Sequence, residues 1–220
     1  MTSDGEIKLT LGTQDKPSAI HGGKPFNKPT DVAVDKNTGD IFVSDGYMNS
    51  AIHRFSHEGD HILSWGSPGV DPGEFSLPHN IAIDDGGYIY VADRENHRIQ
   101  VFSQDGVFQH EYTNVHRPCA LRIGPDGLMY VGELGFQGTV SQLVPNIGPR
   151  VSIIDRSGKR LSKVGEHGFG KQPGQMIAPH GIAIDNDGSI YLGEVSKTAG
   201  KSWLDSMENV VSFRKLQPIG

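Results

Sequence analysis

Apolar and polar residues alternate along this chain in short runs, and the runs recur. Pro29-Thr-Asp-Val-Ala-Val-Asp35 is matched by Pro78-His-Asn-Ile-Ala-Ile-Asp84, Pro118-Cys-Ala-Leu-Arg-Ile-Gly124 and Pro179-His-Gly-Ile-Ala-Ile-Asp185. Each run leads into a turn: Asn37-Thr-Gly-Asp40, Asp84-Asp-Gly-Gly87, Pro125-Asp-Gly127 and Asn186-Asp-Gly188. A second apolar run follows each turn, at Ile41–Val43, Ile89–Val91, Met129–Val131 and Ile190–Leu192. An acid then stands at a fixed offset: Asp45, Asp93, Glu133 and Glu194. Third runs read at Ala51–Phe55, Arg98–Phe102, Arg150–Ile154 and Asn209–Phe213, and fourth runs at His61–Trp65 and Val107–Tyr112. Period-two alternation broken by Asp-Gly turns predicts hairpins, because glycine supplies the positive φ the turn needs.

Four strands per unit, joined by tight turns and repeated, predict an all-β fold, a β-propeller of four-stranded blades. The units fall near 26–66, 75–113, 115–165 and 176–217, within one domain over 1–220. Residues 6–12 read as the outer strand of a preceding or closing blade. The longest insertion, Gly135 to Pro149, reads as a loop over one face, and helical periodicity is nearly absent.

Composition adds exclusions. The 29 glycines and 13 prolines among 220 residues suit a fold of many turns. A formal charge of −6 argues against nucleic acid as a partner. No apolar run approaches the ~20 residues that span a bilayer, so no membrane association is expected. Met1-Thr-Ser-Asp-Gly-Glu6 lacks the basic start and apolar stretch of a signal peptide, which leaves the compartment open. The single cysteine, Cys119, excludes an intrachain disulfide.

Candidate chemistry sits where the first strand of each unit begins. His79 and His180 follow Pro78 and Pro179 at the same register of two repeats. First strands line a propeller's central channel, so both imidazoles are metal-ligand candidates. A catalytic zinc takes three protein ligands and keeps one position open. The same register holds Thr30 and Cys119. Thiolate and imidazole both suit zinc, so His79, Cys119 and His180 form a candidate set, although a free cysteine is often simply buried. His116 is read as facing solvent, and nothing in the chain places His21. The repeated acids are read as acceptors for turn N–H groups. Trp65 and Phe75 are read as blade packing. The segments Asp71-Pro-Gly-Glu-Phe75 and Gln172-Pro-Gly-Gln175 are read as matching connections between blades.

The repeats resemble NHL repeats. The runs Phe26-Asn-Lys-Pro-Thr-Asp-Val-Ala-Val34, Phe42-Val-Ser-Asp-Gly-Tyr-Met-Asn-Ser50, Phe75-Ser-Leu-Pro-His79 and Val91-Ala-Asp-Arg-Glu-Asn96 resemble peptidyl-α-hydroxyglycine α-amidating lyase and its bacterial relatives. That resemblance implies a six-bladed propeller whose central zinc is held by three histidines. It implies cleavage of a C-terminal hydroxyglycine into an amide and glyoxylate, with a peptide or small molecule as substrate. Its zinc histidines match His79 and His180, its catalytic tyrosine matches Tyr47, and one of its two active-site arginines matches Arg94. Tyr47 would take the substrate hydroxyl proton, and the planar fork of Arg94 would hold the carboxylate. The bland alternatives are a rim aromatic for Tyr47 and an ion pair from Arg94 to Asp93 or Glu95. The family's third histidine and second arginine belong to an earlier blade, before this chain begins. A calcium ion is also implied, yet Gly181 stands at its aspartate ligand and Ala178 at a neighbouring methionine. Self-association would complete the ring. The rival reading is a non-catalytic NHL scaffold that binds protein or peptide. A calcium-dependent lactonase ranks below both, for want of carboxylates at the first-strand positions.

Overall fold

Each repeat builds one antiparallel sheet, and the connections between strands are the turns read from the sequence. The computed structural model describes residues 4–142, 144–165 and 169–218. Residues 1–3, part of the segment tested for a signal peptide, lie outside the described residues, as does Leu143 in the long insertion. The first blade runs β1 (Asp31–Val34), β2 (Ile41–Asp45), β3 (Ala51–Phe55) and β4 (His61–Trp65) in that order across the sheet. The second runs β5 (Pro78–Ile83), β6 (Ile89–Asp93), β7 (Arg98–Phe102) and β8 (Phe108–Tyr112). The third runs β9 (Pro118–Ile123), β10 (Met129–Glu133), β11 (Arg150–Ile154) and β12 (Arg160–Val164). The last has three strands, β13 (Pro179–Ile184), β14 (Ile190–Glu194) and β15 (Phe213–Leu216). The fold is therefore the expected all-β propeller of NHL-type blades.

The chain divides into two compact units, Met1–Asn96 with Gln100–His110, and His97–Ile99 with Glu111–Gly220. In the first unit, Phe42, Ile52, Phe75, Ile81, Ile89, Val91 and Phe102 form a fully buried core. Burying each phenylalanine contributes about 1.5–3 kcal/mol. Trp65 packs on Phe42 and Phe102 at ring separations of 6.4 and 5.8 Å, in the blade-packing role expected of it. The second unit has its own core around Ala120, Tyr130, Val151, Met176, Ile182 and Leu192.

The hairpins close as their residues dictate. In β5–β6 the Asp84 carboxylate accepts the N–H groups of Gly86 and Tyr88 at 2.9 and 3.0 Å, and Gly87 takes φ of 80°. The two Pro-Gly connections also match. Phe75 bridges Pro68, and Met176 bridges Phe169, both in parallel.

Two sequence expectations change. Residues 6–12 carry no strand. The third strand of the last blade is Phe213–Leu216, not Asn209–Phe213, because helix α2 (Ser196–Gly200) and the turns after it take up the intervening chain. The anchor is Arg214, whose Nε donates to the Glu194 carboxylate at 2.5 Å, as Arg150 donates to Glu133 in the third blade. Phe213, which the repeat pattern places level with Phe55 and Phe102, is exposed. A second short helix, α1 (Thr139–Gln142), lies in the long insertion.

Candidate active site

The repeated acids explain how each blade presents its first-strand residue. All four are buried, and each accepts the amide N–H two residues before the proline. Asp45 takes it from Asn27, Glu133 from His116 and Glu194 from Ile177, each at 2.7 Å, and Asp93 takes it from Ser76 at 2.8 Å. In Asp93, Glu133 and Glu194 the second carboxylate oxygen is satisfied from within the same blade, whereas Asp45 gathers its partners on Oδ2 and its buried Oδ1 has none among the described residues. Asn96 and Gln100 reach Asp93 at 2.8 and 3.1 Å, and Arg150 reaches Glu133 at 2.8 Å. The residue between clamp and proline takes a left-handed φ in three blades: Lys28 at 63°, Leu77 at 65° and Arg117 at 49°. A bulky residue there costs about 1–3 kcal/mol and persists because its surroundings enforce it. The acids are thus structural, as expected. What they structure is the turn that aims Thr30, His79, Cys119 and His180.

In the first unit, His79 is 2% exposed at the start of β5. Its Nδ1 lies 2.8 Å from Asn80 Oδ1, and Asn80 Nδ2 donates to Asp31 Oδ2 at 2.9 Å. An ionised carboxylate only accepts, so the Asn80 amide group must face Asp31 and its oxygen must face His79. His79 therefore carries its proton on Nδ1 and directs the Nε2 lone pair outward, the orientation that second-shell partners impose on metal-binding histidines. Tyr47 Oη approaches that Nε2 at 3.3 Å, with the rings edge to face at 5.8 Å. Tyr47 is 46% exposed on the turn after β2. The Arg94 guanidinium lies 5.7 Å from the Tyr47 ring centre. Arg94 also pairs through Nε with Glu95 at 2.7 Å, so the ion pair weighed as its bland role is formed as well. Its amide N–H donates to the Leu77 carbonyl at 3.2 Å, tying the arginine to the turn that carries His79. Tyr47, His79 and Arg94 are therefore brought together.

In the second unit, Cys119 opens β9 fully buried and His180 opens β13 partly buried. The Cys119 sulfur and a His180 ring nitrogen lie within 4.8 Å of one another. Donor atoms on one tetrahedral zinc ion stand ~3.6 Å apart, from bonds of ~2.3 and ~2.05 Å at the tetrahedral angle. To share a zinc ion the pair would close by up to about 1.2 Å. His116, expected to face solvent, is instead half-buried against His97, with ring centres 4.4 Å apart. Burial and the neighbouring His97 push its pKa below the ordinary histidine value, with Glu133 opposing.

Comparisons with known proteins agree with the repeat pattern. The NHL repeat model matches residues 26–55 and 75–102. Peptidyl-glycine alpha-amidating monooxygenase A of Xenopus laevis is 35% identical over 87% of this chain. Peptidyl-alpha-hydroxyglycine alpha-amidating lyase 1 of Drosophila melanogaster is 33% identical over 88% of it. The chain carries NHL repeats over residues 26–55 and 75–102 and is similar in sequence to proteins named for the amidating activity. It spans 20% of the Xenopus protein and 37% of the Drosophila lyase. A probable lyase of the same name from Caenorhabditis elegans is 48% identical over 44% of this NHL-repeat chain and 28% of its own length. In fold, the NHL-repeat chain is similar to a catalytically inactive virginiamycin B lyase from Staphylococcus aureus with quinupristin, at TM-score 0.56 and 17% identity over 86% of this chain and 55% of that one. No helix among the described residues is long and apolar enough to cross a membrane.

Sequence reasoning missed the Asp31–Asn80 support of His79. An asparagine directly after a candidate ligand was the available signal. It also missed His53, fully buried and bonded to Asp45 and Ser64 at 3.2 and 2.7 Å. Gln100 and Ser152 stand at the same place in the next two repeats and bond Asp93 and Glu133 in the same way, but the residue type differs in each, so identity alone did not mark the position.

Proposed function

We propose that this chain is a zinc-dependent lyase of the amidating-lyase type, acting on a peptide or small molecule that ends in an α-hydroxyglycine. The reaction breaks the C–N bond of the hydroxyglycine. The hydroxyl proton leaves, the amide nitrogen is protonated, and the products are an amide and glyoxylate. The observation that carries this reading is the grouping of Tyr47, His79 and Arg94, the three residues of this unit that match the lyases' motifs. His79, Cys119 and His180 are the proposed zinc ligands, supported by their shared register in three successive repeats and by the approach of Cys119 to His180. Zinc, when bound, supplies Lewis acidity toward a substrate oxygen. Tyr47 takes the hydroxyl proton, and Arg94, steadied by Glu95, holds the carboxylate. The Tyr47 hydroxyl and a metal compete for one lone pair on His79 Nε2, so metal binding frees the tyrosine for substrate. Calcium is left out of the proposal, since Gly181 offers no side chain to bind it.

The test pairs metal analysis of the purified chain with an assay for glyoxylate from a peptidyl hydroxyglycine. Near-stoichiometric zinc, lost in His79→Ala and in His180→Ala, together with glyoxylate release lost in Tyr47→Phe, is the expected result. A folded chain that neither takes up zinc nor releases glyoxylate would overturn the proposal and leave the scaffold reading.

A further inference from the structure

The second unit holds a small cavity that the proposed chemistry does not use. Its volume is about 220 Å³, and its walls include Phe136, Phe169, Trp203, Ile177 and Ala199. Phe136 stands edge to face against both Phe169 and Trp203, at ring separations of 5.2 and 5.3 Å and interplanar angles of 75° and 89°. Among the described residues Arg117 is the one charged residue at the wall, with its NH1 on the Phe136 carbonyl at 3.3 Å. Pockets for drug-sized ligands run to roughly 300–1,000 Å³, so this one suits a single side chain.

Its walls are fastened to the turns that present the metal-ligand pair. Leu134, a wall residue, donates its N–H to the Arg117 carbonyl at 3.1 Å, and Arg117 lies two residues before Cys119. Val195, another wall residue, donates to the Ala178 carbonyl at 3.1 Å, and Ala178 lies two residues before His180. Two residues of extended chain reach at most ~7 Å. The side chain preceding a hydroxyglycine departs from a Cα about 3.8 Å from that of the hydroxyglycine itself. A substrate whose terminus is held at the Cys119–His180 pair therefore has its penultimate side chain within reach of residues that wall this cavity.

We propose that the Phe136–Phe169–Trp203 cavity is a specificity subsite that receives an aromatic or branched aliphatic side chain from the residue preceding the hydroxyglycine. This rests on the lyase reading above. Three aromatic faces match apolar groups, and Arg117 disfavours a lysine or arginine there.

The test compares kcat/KM for N-acetylated dipeptide substrates carrying Phe, Leu, Gly or Lys before the hydroxyglycine. The expected order is Phe and Leu at least about tenfold above Gly, since one methylene in an apolar pocket is worth roughly that much, with Lys lowest. Trp203→Ala brings the Phe-to-Gly ratio toward one. Ala199→Leu fills the cavity without removing a core side chain and depresses the Phe substrate while sparing the Gly substrate. Turnover with no preference, or a preference unchanged in both variants, overturns the subsite and leaves the lyase reading standing. Absence of glyoxylate from every substrate overturns the lyase reading instead. The subsite is then judged by equilibrium binding of N-acetyl-phenylalaninamide against N-acetyl-glycinamide to the intact chain: preference for the former, lost in Ala199→Leu, supports it, and equal binding overturns it.

Discussion

Gly46, between the buried Asp45 and Tyr47, is where the backbone of one blade presses hardest on the next. Its φ is not left-handed, so the residue is needed for space and not for the turn. A Cβ built there would stand 2.0 Å from the Pro78 carbonyl oxygen and 3.2 Å from Thr30 Cγ2. Ordinary contact begins at 3.4 Å, so Gly46→Ala must drive the Pro78 oxygen back by roughly 1.4 Å. That carbonyl accepts the Thr30 hydroxyl at 2.9 Å and belongs to the residue that carries His79. Overpacking costs about 1–3 kcal/mol, and a backbone obstacle places this case at the upper end. About 3 kcal/mol lowers Tm by roughly 6–12 °C in a chain of this size. A shift of ~1 Å at a catalytic group costs about 10²-fold in rate. Gly181→Ala is the control. Its Cβ meets nothing within 4 Å, and it should be neutral or gain up to about 1 kcal/mol. The assays are thermal unfolding, zinc titration and glyoxylate release. Wild-type Tm and wild-type turnover in Gly46→Ala would refute the reasoning that this close approach sets the position of His79.

Tyr47→Phe removes the competitor for His79 Nε2. It should abolish turnover while zinc binds about 2- to 10-fold tighter, the worth of one net hydrogen bond, as read by competition with a chromogenic chelator. Asn80→Leu unsettles the His79 tautomer and should weaken zinc binding about 10–100-fold, with far-ultraviolet circular dichroism unchanged. Asp93→Asn turns an amide toward the N–H groups that the carboxylate accepts, and should destabilise by about 1–3 kcal/mol on urea unfolding. Burial and the neighbouring His97 disfavour the charged form of His116 in the folded state, so its folded pKa lies below its unfolded one. The unfolded chain binds the extra proton, and this contribution is present above pH ~6.5 and lost as pH falls through the folded value. His116→Gln should flatten the stability–pH profile below pH ~6.5, as read by Tm across buffers.

The alternation of apolar residues and the Asp-Gly turns determined the blades, because strand period and turn chemistry are local properties. Register across repeats also made His79, Cys119 and His180 equivalent, and the resemblance to the amidating lyases, not the repeat pattern, singled out Tyr47 and Arg94. The third strand of the last blade lies later than the repeat pattern predicts, because Phe213 matches Phe55 and Phe102 in type but not in burial. Only the Arg214–Glu194 pairing, twenty positions apart, decides which residues enter that sheet. The tautomer of His79, the half-burial of His116 and the aromatic cavity were likewise invisible. Each depends on side chains from different strands and loops meeting at hydrogen-bond or van der Waals distance. Such meetings follow from how sheets and loops pack against each other, and no local pattern records them.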